Sequence, residues 1–371
     1  MKIANFKVED WFNKYEKSAK YDMADTCVES LSLDELFFLT GEKETHIENI
    51  LNKRLNYGDI QGSPRLKRGI AALYNDKVLP ENITVTHGAI GANQLVMLSL
   101  IERGDKVVSI LPTYQQHYSI PESIGAKVEK IYLKEELNWL PDIDELREKS
   151  RDAVIICMNN PNNPTGAVMP ESMLDEIVKI ARENNAYILC DEVYRGLEHN
   201  GNLSKSIVEL YEKGISTGSM SKVYSLAGLR LGWIAAPAEA MEKIIIQREY
   251  NTISVSSIDD YFASIALEHS DRIIERNLGK ILEGKKTVNE HIKNTSLISW
   301  IEPQGGTTGL LRYANNMRSE DLCKKLLDDT GVLFLPGSAI DAENYLRIGY
   351  CSDIKKLSEG LEVFCRWIAK L

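Results

Sequence analysis

The chain has no apolar run near the ~18 residues needed to cross a bilayer, and its opening stretch, MKIANFKVEDWFNKYEKSAK, is charged throughout with no secretory apolar core. Neither membrane insertion nor export is expected, and the cytoplasm is the expected compartment. A positive excess is also missing: 44 Lys+Arg against 54 Asp+Glu give a formal charge of −10, which disfavours non-specific attraction to nucleic acid or an anionic lipid surface. The six cysteines (Cys27, Cys157, Cys190, Cys323, Cys351, Cys365) form no CxxC pair, and the six histidines (His46, His87, His117, His199, His269, His291) form no HxH or HxxxH pattern. Disulfides and metal sites are therefore not expected. No period of ~20–50 residues repeats, which removes solenoids and propellers.

What is present is an ordinary globular composition, 43% hydrophobic and 26% charged, over 371 residues. That length leaves room for about two domains. Short β-branched or apolar runs recur at 83–86, 106–111, 153–158, 186–190, 215–218 and 231–235, and charged segments of helical periodicity separate most of them. Two such segments, 92–103 and 173–184, each lead into a strand. The rhythm predicts an α/β fold, a large domain with a mostly parallel central sheet flanked by helices. After about residue 255 the pattern changes to long charged helices, 259–267 and 271–292, with short strands returning at 297–301, 309–313 and 345–348. The expected division is an arm and part of a small domain at 1–45, a large domain at 46–255, and a connecting helix with a smaller α+β domain at 256–371.

Ligands of open α/β sheets bind beyond the carboxyl ends of strands. After the first run comes His87-Gly88-Ala89-Ile90-Gly91-Ala92. Glycine there lets backbone approach an anion, and a helix start offers free N–H groups, although an ordinary strand-to-helix turn reads the same way. The run 153–158 leads into Asn159-Asn160-Pro161-Asn162-Asn163-Pro164-Thr165-Gly166, a stiff, defined loop whose Asn-Pro bonds are candidates for the cis form. Next, 186–190 leads into Asp191-Glu192-Val193-Tyr194, a carboxylate at a strand end with a phenol three residues on. A capping or turn aspartate is the alternative. The strongest segment, Ser219 to Trp233, gathers the hydroxyls of Ser219 and Ser221, the amine of Lys222 and the guanidinium of Arg230. A phosphate needs such groups, and the amine is placed for an aldehyde. Solvated surface charges are the bland reading.

With these motifs in order, the chain resembles the fold-type-I pyridoxal-phosphate enzymes of the class I/II aminotransferase family. The resemblance rests on SxSKxxxxxGxRxG at 219–232, NNPTG at 162–166 and DEVY at 191–194, and it extends through YGDIQGSPRLKRGIAALY at 57–74, VTHGAIGA at 85–92, and PGSAI and YLRIGY between 336 and 350. It implies an aspartate-aminotransferase-like fold, with Lys222 forming the internal aldimine of pyridoxal 5'-phosphate and its freed amine moving a proton at Cα. Burial beside a cationic group is expected to depress the Lys222 pKa. Asp191 would pair with the pyridinium nitrogen, Tyr194 and Asn163 with the phenolic oxygen, and Tyr114 would stack on the ring. The phosphate cup would comprise Gly88, the N–H groups of Ala89 and Ile90, Ser219, Ser221 and Arg230. Tyr57 matches the residue that reaches the neighbouring subunit's phosphate, which implies a homodimer with shared active sites. Arg347 matches the arginine that binds the substrate α-carboxylate, with Asn163 beside it; an amino acid and a 2-oxo acid are the implied substrates.

One stretch departs from the pattern. Many family members carry a glycine in the N-terminal substrate loop, whereas residues 21–30 read YDMADTCVES. This stretch looks most like the subgroup containing capreomycidine synthase, which uses the same cofactor for β-elimination and cyclisation. Besides transamination, the alternatives are therefore a β-lyase, a β-replacement or cyclisation enzyme, or a decarboxylase. A binding protein on an inactive fold is disfavoured by the joint presence of Lys222, Asp191 and Arg230. Gln115, Gln116 and His117 read equally as polar surface or as substrate contacts.

Overall fold

The computed structural model describes residues 2–75, 77–293 and 295–371. A short strand near the N-terminus, β1 (Tyr21–Asp22), precedes the main sheet. That sheet is built from β2 (Ile83–His87), β3 (Lys106–Leu111), β4 (Lys127–Tyr132), β5 (Ala153–Asn159), β6 (Tyr187–Asp191), β7 (Gly214–Ser219) and β8 (Leu231–Ala235), in the order β2-β8-β7-β6-β5-β3-β4. The pairs from β4 through to β7 are parallel, and β8 runs antiparallel to both β7 and β2.

Helices cover both faces, so the central strands are apolar almost without interruption. Alternation along β5 divides them: Ile155 and Cys157 enter one core with Leu95, Val96 and Ile244, while Ile156 and Met158 enter the other. Helix Glu171–Glu183 buries Leu174, Ile177, Val178 and Ala181, the single-face spacing of an amphipathic helix. The apolar-run reading passes over β4. KVEKIY carries charges at Lys127, Glu129 and Lys130, and the strand lies at the sheet edge, where Lys and Glu discourage pairing with another chain. Helix Gly88–Leu100 also begins earlier than the expected 92, directly where β2 ends.

The later strands, β9 (Ile298–Ser299), β10 (Thr308–Tyr313), β11 (Val332–Leu333), β12 (Leu335–Pro336) and β13 (Tyr345–Gly349), make a smaller unit. Four of them form an antiparallel sheet ordered β12-β13-β10-β9, while β11 pairs in parallel with β1. This pairing binds the N-terminal segment to the C-terminal unit. Helix Ser270–Ile292 packs against helix Ile354–Ile368 beside it. Among the described residues no helix is long and apolar enough to cross a membrane, and no group of His, Cys, Asp and Glu could hold a metal ion.

Candidate active site

The carboxyl ends of β5, β6 and β7 open into a cavity of about 420 Å³ lined by Asn159, Asn163, Asp191, Tyr194, Ser219, Ser221 and Lys222. Ala89, Ile90, Asn93, Tyr114, Arg230 and Arg347 complete most of the wall. The turn 160–166 is tied by side-chain hydrogen bonds, and its Asn-Pro bonds take the cis form named as a candidate from the sequence. Asn163 N–H donates to Asn159 Oδ1 at 2.6 Å, and Thr165 Oγ1 donates to Asn162 Oδ1 at 2.7 Å.

Lys222 follows β7 and its amine donates to Thr26 Oγ1 at 2.5 Å and to Cys27 Sγ at 3.1 Å. Burial pushes its pKa down, but the Tyr194 phenol, the Cys27 thiol and the Asp25 carboxylate push it up, and the net direction is up. The expected depression is therefore corrected. The groups acting most strongly on the amine are acidic, not cationic.

Asp191 ends β6, almost fully buried. Its Oδ2 accepts from Asn93 Nδ2 at 2.8 Å and its Oδ1 from Val193 N–H at 3.2 Å. Burial raises its pKa to about 6 against these two donors and the Lys222 charge. Asp191 thus serves its own turn as well as facing the cavity. His117 Nε2 stands 4.0 Å from Asp191 Oδ2, and burial lowers the imidazole to about 4, so it is neutral at pH 7. Gln115, Gln116 and His117 are buried, which corrects the surface reading. Gln116 Nε2 donates to Ile90 O at 3.0 Å, bracing the turn before the cavity, and Gln115 holds the N-terminal segment through Lys7 N–H and Asn5 O.

On the opposite wall, helix Gly88–Leu100 starts without a side-chain cap, so its first N–H groups lack that partner. Gly88 has φ +68, and a Cβ there would lie 2.8 Å from Arg230 Nη2. Arg230 itself adopts the left-handed region at φ +47, unusual for a residue other than glycine. Its Nη1 donates to Ser221 Oγ at 3.4 Å and Ala227 O at 3.0 Å, beside Ser219. The group is an anion cup with a positive helix end, two hydroxyls and a guanidinium.

Arg347, on β13, is only 3% exposed. Its Nη2 donates to Ala24 O at 3.0 Å and its Nη1 to Asn163 Oδ1 at 3.4 Å, while Nε has no partner. Burial lowers its pKa, and among the described residues it makes no salt bridge. A buried guanidinium without its own carboxylate is ready to accept one. Tyr114 lines the cavity, its phenol donating to Glu9 Oε1 at 3.3 Å and its ring tilted against Phe6 at 4.8 Å.

Two residues stand elsewhere. Tyr57 is 80% exposed and outside this cavity. His87 is also outside its lining, with Nε2 3.1 Å from Thr252 Oγ1. Conversely, Val8, Glu9, Phe12 and Asn93 line the cavity but were not singled out from the sequence, and Thr26 and Cys27 enter it from the 21–30 stretch that was set apart there without a role for either residue. Only Asn93 had a usable signal there, lying one helical turn beyond Ala89.

Pyridoxal phosphate fits these groups. The Tyr194 Oη is buried with no partner, as a phenolic-oxygen ligand would leave it, and a carboxylate, an amine and an anion cup surround one space. Residues 38–364 match the family described as aminotransferase class I and II. The chain belongs to that family. Among relatives of this aminotransferase-family chain, capreomycidine synthase of Streptomyces vinaceus is 28% identical over 363 residues, covering 95% of this chain and 91% of that protein. Aspartate aminotransferase of Pyrococcus horikoshii is 31% identical over 317 residues, covering 82% and 81%. A crystal structure of a PLP-dependent aminotransferase from Streptococcus suis superposes with TM-score 0.96 at 43% identity, covering 100% of this chain and 99% of that one.

Proposed function

We propose that this chain is a cytoplasmic pyridoxal-phosphate-dependent aminotransferase that moves an α-amino group from an amino acid to a 2-oxo acid. The observation that carries the reading is the facing of Lys222 and an unpaired, buried Arg347 across one cavity floored by Asp191. Bound there, pyridoxal phosphate supplies an aldehyde that takes the amino group and a ring that stores the electron pair released at Cα. Ser219, Ser221, Arg230 and the N–H groups of Ala89 and Ile90 would hold its phosphate, Gly88 leaving them room. Asn163 and Tyr194 would hold its phenolic oxygen, and Tyr114 its ring face. Arg347 binds the substrate carboxylate and thereby orients Cα, while Lys222 takes and returns the proton there.

The organisation proposed is a small unit from 1–45 and 256–371 around a large cofactor-binding domain at 46–255. The chain would act as a homodimer in which Tyr57 reaches the phosphate of a second copy. Support comes from exposed apolar side chains, among them Phe38, Leu51, Leu55, Tyr250 and Ile253, of which Leu55 lines one surface groove with Tyr57.

One observation favours a second reading, β-elimination or cyclisation on the same cofactor. The segment without glycine places a thiol and a hydroxyl on the Lys222 amine, where a leaving group at Cβ could be protonated. The test is a steady-state assay with paired amino acids and 2-oxo acids. Equal formation of new amino acid and new 2-oxo acid supports transamination; ammonia release without a new amino acid rejects it.

A further inference from the structure

Asp191 does not face the cavity unaided. Thr217, fully buried on β7, donates from Oγ1 to Asn93 Oδ1 at 2.7 Å, and Asn93 Nδ2 donates to Asp191 Oδ2 at 2.8 Å. The order of donors is determined by chemistry. Were the amide turned over, its oxygen would face the carboxylate, two acceptors in contact, and its NH2 would point at the hydroxyl. Thr217 therefore locks the one orientation in which Asn93 can donate to Asp191. Asn93 is 1% exposed, in the helix whose first turn forms the anion cup. An asparagine is a poor residue for a helix interior, and burying its amide costs free energy unless both ends are bonded.

We propose that Asn93, oriented by Thr217, is a positioning residue that keeps Asp191 ionised against the cofactor ring nitrogen. The inference rests on the reading that Asp191 faces that nitrogen. When a carboxylate and a pyridine nitrogen share one proton, its position follows their relative basicity. A charge-assisted donor on the carboxylate lowers its basicity and leaves the proton on the ring. The other groups facing Asp191 are the Val193 N–H, the Lys222 ammonium and the neutral His117 imidazole, whose Nε2 lies 4.0 Å away with no partner. Asn93 is the only neutral side chain that donates to the Asp191 carboxylate among the described residues; Asn159 donates to its backbone carbonyl.

The test uses holoenzyme reconstituted with pyridoxal phosphate isotope-labelled at the ring nitrogen, whose NMR shift reports protonation directly. The parent should keep that nitrogen protonated through neutral pH. In Asn93→Leu the ratio of protonated to unprotonated ring nitrogen at neutral pH should fall about ten- to a hundredfold, the size of a lost hydrogen bond to a charge, because the shared proton moves to the carboxyl group. Thr217→Val should lower that ratio by less, and Thr217→Ser should restore the parent ratio. If Asn93→Leu does not fold, the near-isosteric Thr217→Val and its Ser rescue carry the test alone. A parent-like ratio in the variants overturns the proposal. Asp191→Asn separates the layers: if it lowers the ratio and Asn93→Leu does not, only the relay fails, whereas if it too leaves the ratio unmoved, the Asp191 reading fails.

Discussion

The Lys222 amine donates to Cys27 Sγ at 3.1 Å, joining the loop after β7 to a strap near the N-terminus. The same strap presents Ala24 O to Arg347, and Thr26 O accepts from Thr307 Oγ1 at 2.8 Å. The lysine and the arginine thus lean on residues two and three apart in sequence, although they lie far apart along the chain themselves.

A first prediction concerns the thiol. Cys27 is among the groups that raise the Lys222 pKa, so Cys27→Ala should lower it. Capture of pyridoxal phosphate by cofactor-free protein requires the unprotonated amine. Its rate against pH should therefore rise at lower pH in Cys27→Ala than in the parent. An unchanged profile would show that the thiol does not act on the amine.

Arg347→Ala should weaken amino-acid binding by ~2–5 kcal/mol, the range for truncating one partner of a buried charge pair. Arg347→Lys should not recover the loss, because a single ammonium cannot form the two parallel bonds of a guanidinium. The check is KM and spectral titration for one amino acid in all three proteins. An unchanged KM would assign the carboxylate to another group.

Much of this was legible along the chain, and the reason is local. Strand ends followed by Gly88, Asn163, Asp191 and Ser219 can be read because an α/β sheet delivers consecutive strand ends to one edge. Thr26 and Cys27 could not be read, because their place depends on β1 pairing with β11, a contact between the two ends of the chain. His117 carried no signal either. Its burial follows from the packing of helix Gln116–Ile124, not from any local periodicity. The Lys222 pKa was misjudged for the same reason: its acidic neighbours Cys27 and Asp25 come from that strap.

Two buried groups give the cofactor-free protein opposing pH slopes. Asp191 is raised from 3.8 to about 6, so the folded state binds a proton that the unfolded state releases, and its contribution falls as pH rises through that window. His117 is lowered from 6.5 to about 4, so its contribution rises with pH across nearly the same window. Asp191→Asn should remove the falling term. Its stability relative to the parent, from urea unfolding, should grow by roughly 3 kcal/mol from acid to neutral pH. A pH-independent difference would contradict the buried, destabilising carboxylate.

Complementation tests the shared site. Lys222→Ala and Tyr57→Ala chains should each be weakly active alone, losing ~10²–10⁴-fold for the lysine. If Tyr57 acts on a second copy, a mixed dimer has one site holding both Lys222 and Tyr57, and co-refolding should recover activity. No recovery from a confirmed mixed dimer would place Tyr57 outside the site.

The most direct measurement follows the visible absorption of the holoenzyme as single amino acids are added with no 2-oxo acid, together with the products. Transamination predicts, for at least one amino acid, loss of the bound-cofactor band with one equivalent of its 2-oxo acid, no ammonia, and recovery when a 2-oxo acid is supplied. Continuous release of ammonia, or a cyclised product with the band retained, would contradict it and assign the chemistry to the Cys27 side of the cavity.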